Sequence, residues 1–121
     1  KAHPEKEERD AIASYESAEY NTLAWRQLFA KDYDGAVNAC FAGRKIDPHN
    51  DVIYTNLALA YLFKGDYKKA EGVYLNYRNK NYYYSDKPFK KGFLEDLKTF
   101  EDAGYIKAND PEIVKIKQLL K

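Results

Sequence analysis

The stretch YTNLALAYLFKGDYKKA, Tyr54 to Ala70, decides how the rest of the chain is read. An apolar run rich in small residues meets a Gly65-Asp66 break and resumes at Tyr67, so it is either one helix with a frayed end or half of a repeat. Thirty-four residues earlier stands YNTLAWRQLFAKDYDGA, Tyr20 to Ala36. Tyr54 falls on Tyr20, Leu57 on Leu23, Ala58 on Ala24, Leu62 on Leu28 and Phe63 on Phe29. Asp66-Tyr67 falls on Asp32-Tyr33, and Ala70 on Ala36. Eight identities at one offset mark an internal repeat. Its period is that of a helix–turn–helix unit.

The residues give this unit a physical reading. Ala24 with Ala36, and Ala58 with Ala70, let two helices approach closely where larger side chains would hold them apart. Asp32 and Asp66 are placed to cap the second helix of each pair, and Gly65 tolerates a left-handed turn. DPHND, Asp47 to Asp51, stops one pair at Pro48 and offers Asn50 or Asp51 as cap for the next. Helices are expected at about 19–30, 33–46, 51–63 and 67–79, the first reaching back to Pro4 or Glu5 for want of a breaker. Downstream, FKKGFLEDLKTFEDAG ends at Gly104 as a helix C′ residue. A last helix opens with Asp110 as cap and Pro111 in its first turn, with Ile113, Ile116 and Leu120 as an apolar stripe.

With these residues the chain resembles the tetratricopeptide repeat (TPR) family over 17–84. The first copy supplies Tyr20, Leu23, Ala24, Ala36, Gly43 and Pro48, and departs at Gln27 and Cys40. The second supplies Tyr54, Leu57, Ala58, Tyr61, Ala70 and Tyr74, and departs at Tyr77 and at Tyr82, where the family has Pro. The step from Phe93 to Phe100 matches that from Tyr54 to Tyr61, and the tail is similar to segments closing TPR regions of larger bacterial proteins. The resemblance implies an all-α fold, a TPR-like α-solenoid stacked as a right-handed superhelix. It would form one domain over 1–121, with a helical extension at 1–16, repeats at 17–50 and 51–84, and a degenerate capping pair at 85–121. That final pair is expected to dock its last helix on the Phe93–Gly104 helix and close the stack.

Composition narrows the function. Lys and Arg number 20 against 19 Asp and Glu, so the net charge of +1 gives no field for a polyanion. The single cysteine, Cys40, makes no internal disulfide and fits a reducing compartment such as the cytoplasm. No Cys/His group has metal-ligand spacing, no cofactor motif stands out, and no apolar run reaches membrane-span length. A chain opening at Lys1 reads as a fragment or processed product of a larger protein. Cys40 holds a core position of the repeat, while His3 and His49 sit in a terminus and a loop. Acidic neighbours such as Glu7-Glu8 and Glu95-Asp96 read as solvated helix faces, so no enzyme is expected.

The resemblance instead implies a protein–protein interaction module that holds a peptide or helix in its concave groove. The family's contact positions fall on Asn21, Trp25, Leu28 and Phe29, then on Thr55, Leu59, Leu62 and Phe63, with Ala18 and Val52 at the edge. Such a groove would be apolar and aromatic. The alternative is an intramolecular or self-associating scaffold, with the face covered by another part of the chain or a second copy. A carboxylate clamp through Asn56 and Lys90 lacks its partners, because Asn21 and Trp25 stand where Lys and Asn are needed. Single-stranded RNA binding through the Tyr/Lys loop at 79–91 is disfavoured by the charge balance.

Overall fold

A computed structural model describes residues 4–121, the Pro4 side chain aside; His3 lies outside the described residues. The chain folds into six helices: α1 (Pro4–Phe29), α2 (Tyr33–Ile46), α3 (Ile53–Lys64), α4 (Tyr67–Tyr77), α5 (Phe89–Asp102) and α6 (Pro111–Leu119). The all-α expectation holds, and the region at 1–16 continues from Pro4 into α1 without interruption.

Short turns fold α1 onto α2 and α3 onto α4. At the first turn Asp32 caps α2 by accepting the Gly35 N–H at 3.0 Å. At the second, Gly65 adopts φ 87°, a left-handed conformation that costs a residue without Cβ little. Asp66 holds the N-cap position of α4, but its side chain makes no cap bond there. Ala24, Ala36, Ala58 and Ala70 are all fully buried. Gly43 belongs to the same logic: a Cβ there would stand 2.7 Å from Ile53 and 3.0 Å from Tyr20. Larger residues would push α1, α2 and α3 apart.

α3 lies at the centre, packed on α1, α2, α4 and α5. Its burial runs round the whole helix, from Ile53 through Leu57, Ala58, Leu59 and Ala60 to Leu62, which suits an interior helix rather than an amphipathic one. The expected caps for α3 serve elsewhere. Asn50 Nδ2 donates to Ser17 Oγ at 2.8 Å, and Ser17 Oγ donates to the Gly43 carbonyl at 2.7 Å. The Asp51 carboxylate accepts the Tyr83 N–H at 3.1 Å. α3 therefore starts at Ile53, two residues later than expected.

Leu57 is 4% exposed, but its repeat counterpart Leu23 is 43% exposed. α3 has an earlier helix pair packed against it, whereas α1 has none among the described residues. The last helix also departs from expectation. α6 lies on α4, tied by Lys115 to Glu71 at 3.0 Å and by Arg78 Nη1 donating to the Leu119 carbonyl at 2.9 Å. Its link to α5 is the Lys117–Glu101 ion pair. Phe89 and Phe93 of α5 are covered from Tyr77 and Tyr74 of α4, so α6 is not needed over them.

Because Ala58 has no room on any side, Ala58→Leu should overpack the α3–α4 contact and lower stability by about 1–3 kcal/mol. Chemical denaturation followed by circular dichroism measures this; an unchanged midpoint would mean that the crossing is looser than its burial implies.

Candidate functional site

The face expected to form an open groove is divided by α5. Phe100 inserts its ring among Trp25, Phe29, Phe63 and Tyr105, with centroids at 5.2, 4.4, 5.0 and 5.3 Å. Tyr105 follows the left-handed Gly104 and donates its hydroxyl to the Phe29 carbonyl at 2.6 Å. That carbonyl is the last of α1 and lacks an intrahelical donor, so one side chain both packs and caps. Leu28, Leu59 and Leu62 are buried at 0%, 1% and 4%, and Thr55 at 4%. Phe29 and Phe63 are half-buried against Phe100. The apolar half of the expected contact set is therefore core, because α5 supplies the rings that a partner would have brought.

Two pockets remain on either side of the Phe100 plug. One, of about 490 Å³, is lined by Tyr33, Leu62, Phe63, Tyr67, Tyr105 and Glu112 among others. The second, of about 340 Å³, opens between α1, the start of α3, the 78–88 loop and α5. It gathers Asn21, Trp25 and Thr55 from the expected set, and adds Thr22, Asn56, Tyr82, Glu95 and Asp96. This second cleft is mixed in character, its polar groups standing beside the apolar surface of Trp25 and Val52.

Its floor is Asn56, 3% exposed, whose Nδ2 donates to the Asn21 carbonyl at 3.1 Å and to Asn21 Oδ1 at 2.7 Å. These bonds hold α3 on α1 and turn Asn56 away from a carboxylate clamp. Lys90 is also engaged elsewhere, donating to the Lys121 carbonyl at 3.0 Å. Asp96 forms one wall. Burial pushes its carboxyl up to about 6, and the neighbouring Glu95 charge adds to this, against the pull of Lys87 and Thr55. Lys87 cannot neutralise it fully, because its ammonium is paired with Glu95 Oε1. The reading of Glu95-Asp96 as a solvated pair is corrected for Asp96, which faces the cleft. Helical spacing carried the signal: Asp96 lies three residues after Phe93 and four before Phe100, both buried, so it shares their inward face.

Tyr82 forms the opposite wall, where the repeat pattern has Pro. It is 7% exposed, and its hydroxyl has no hydrogen-bond partner among the described residues. The ring rests edge-on to Phe89 at 4.6 Å, and its hydroxyl crosses Gly92 so closely that a Cβ there would lie 1.8 Å away. Burial, with the charges of Asp96, Glu95 and Asp51, raises its hydroxyl to about 12, so it stays a neutral donor.

The rest of the Tyr/Lys loop is tied to the inter-repeat loop. Tyr83 stacks on His49 at 4.3 Å, and Tyr84 donates to Asp47 Oδ2 at 2.7 Å, although both rings keep more than half their surface exposed. Cys40 is buried with its thiol pushed up to about 12 by desolvation, which leaves it protonated and inert as a nucleophile. No protein-family model and no solved structure matches the chain.

Two outcomes follow. Phe100→Ala should cost about 3–5 kcal/mol and merge the two pockets; a melting midpoint near that of the parent would show that the plug is dispensable. Asp96 has a folded value above its ordinary 3.8, so its favourable contribution is complete below pH 4 and is lost as pH rises through about 6. Asp96→Asn should therefore stabilise the protein at pH 7 by about 1–3 kcal/mol and flatten the decline between pH 4 and 6. Denaturation curves at pH 4, 5, 6 and 7 measure it, and a destabilised variant at pH 7 would contradict the assigned desolvation.

Proposed function

We propose that the chain is a protein–protein interaction module of TPR-like architecture, a right-handed superhelical stack of helical pairs that holds a partner peptide in the Asn21–Trp25–Thr55 cleft. The observation that carries this reading is the cleft itself: on a face partly filled from within by Phe100, an opening of about 340 Å³ survives that sets polar side chains beside Trp25. The 34-residue repetition supports the architecture, since both copies form helical pairs and the second packs on the first. Four family contact positions, Asn21, Trp25, Val52 and Thr55, line the opening.

A second reading, the intramolecular scaffold, is favoured by Phe100, which acts as a built-in occupant of the aromatic half. The two readings coexist on different halves of one face. α5 braces the stack through the aromatic cluster, and a partner uses the cleft beside it.

Thr22 is an exposed residue at the rim of the cleft, so Thr22→Trp should block entry with little effect on stability. Peptides selected by display against the parent chain should lose at least tenfold in affinity for this variant, measured by fluorescence anisotropy at an unchanged melting midpoint. If no peptide is selected, or if the selected peptides bind the variant equally, the module reading fails at this cleft.

A further inference from the structure

The cleft contains more hydrogen-bond acceptors than the chain uses. Asp96 has no cationic partner within ion-pair distance, since the Lys87 ammonium is held by Glu95. Asn56 spends its Nδ2 on Asn21, which leaves Oδ1 without a donor. Tyr82, more than nine-tenths buried, brings an unpartnered hydroxyl to the same opening. The Thr55 hydroxyl donates to the Val52 carbonyl at 2.8 Å and also stands beside Asp96, without supplying the missing positive charge. These groups come from three separate segments, and Gly92 clears the space that Tyr82 needs. Trp25 adds an apolar wall beside them.

We infer that this cleft recognises the guanidinium of an arginine side chain presented by a partner peptide, with Asp96 as counter-ion and Asn56 Oδ1 and Tyr82 as further partners. The inference rests on the module reading for the peptide, but not for the guanidinium chemistry itself. A guanidinium suits the site because it is planar, always charged and carries five N–H donors, enough to reach acceptors on several sides at once. An ammonium offers three donors from one point. A carboxylate or phosphate would meet Asp96, while the lysine that lines the cleft, Lys87, is already paired with Glu95. The Trp25 indole can line the methylene stem, as aromatic walls do for long cationic side chains.

The groups facing Asp96 are Glu95 on its own helix, Lys87 and Tyr82 from the 78–88 loop, Tyr74 from α4 and Thr55 from α3. Of these, only Asp96 changes charge near pH 6. Protonation removes the counter-ion, so arginine binding should weaken as pH falls. At pH 5 a group titrating at about 6 is ionised in about one molecule in ten, which sets an expected loss of roughly tenfold relative to pH 7.5.

Trp25 is the only tryptophan of the chain, so its fluorescence reports on the cleft. N-acetyl-arginine amide should give a saturable change in that signal, and N-acetyl-glutamine amide should not. The arginine response should weaken at least tenfold in Asp96→Asn, several-fold in Tyr82→Phe, and about tenfold from pH 7.5 to pH 5 in the parent but not in Asp96→Asn. An equal response to glutamine amide, or full binding by Asp96→Asn, overturns the inference. Tighter binding of N-acetyl-lysine amide overturns the guanidinium assignment. Display-selected peptides without basic residues that Thr22→Trp still blocks would overturn arginine recognition and leave the module reading standing. An arginine response without any selectable peptide would uphold the pocket chemistry and remove the module reading.

Discussion

One aromatic ring sets the form of this molecule. Phe100 meets Trp25 and Phe29 from α1, Phe63 from α3 and Tyr105 from the following turn. Each such pair adds about 0.5–1.5 kcal/mol beyond simple area burial, and here they share a single side chain. The first helices of both repeats are thereby fixed to a segment more than thirty residues beyond the second. Without that ring Trp25, Phe29 and Phe63 would lose their common cover, and a large exposed apolar patch calls for a partner. With it, the face becomes a core with a pocket on either side.

Buried polar groups then set the register. Ser17 and Asn50 join the first helix pair to the inter-repeat loop, and Asn21 with Asn56 joins the two first helices. Asp47, which also ends α2, and Asp51, offered by the sequence as a cap for α3, anchor Tyr84 and Tyr83 of the long loop. A sliding error of one residue would leave several of these groups buried and unpaired, at about 1–3 kcal/mol each. Apolar packing draws the helices together; the polar bonds choose among the ways of doing so.

This division explains what the sequence could reveal. The helices, their turns at Asp32 and Gly65, and the small residues at the crossings depend on neighbours in sequence or on a repeated spacing, and were legible. The first-helix residues were expected on one open face, but their exposure was not theirs to determine. Phe29 and Phe63 are covered because α5 returns to them, and no local pattern encodes a return over seventy residues, such as the one that joins Tyr105 to Phe29. The same limit applies to α6, whose stripe is equally suited to α5 or α4; Glu71 and Arg78 are what hold it to α4. Asp96 is different. Its helical phase placed it inward with Phe93 and Phe100, and only its adjacency to Glu95 suggested a solvated pair.

The contrast between Asp96 and the other acids of the chain gives the cleft its meaning. Asp32, Asp47, Asp51 and Asp110 all accept hydrogen bonds from the backbone or from a tyrosine, and Glu71, Glu95 and Glu101 have lysine partners. Asp96 alone of these is both desolvated and without a cation, although a lysine stands nearby and is committed to its neighbour. Structural ion pairs lower a carboxyl; a raised one beside a cavity reflects desolvation that no charge within the chain offsets. Because Phe100 already secures the fold one helical turn away, the protein tolerates that local cost. The core plug and the unpaired acid thus share one face of α5, four residues apart. The aromatic position closes the core, and the acidic position leaves a carboxyl without a cation at the edge of the cleft.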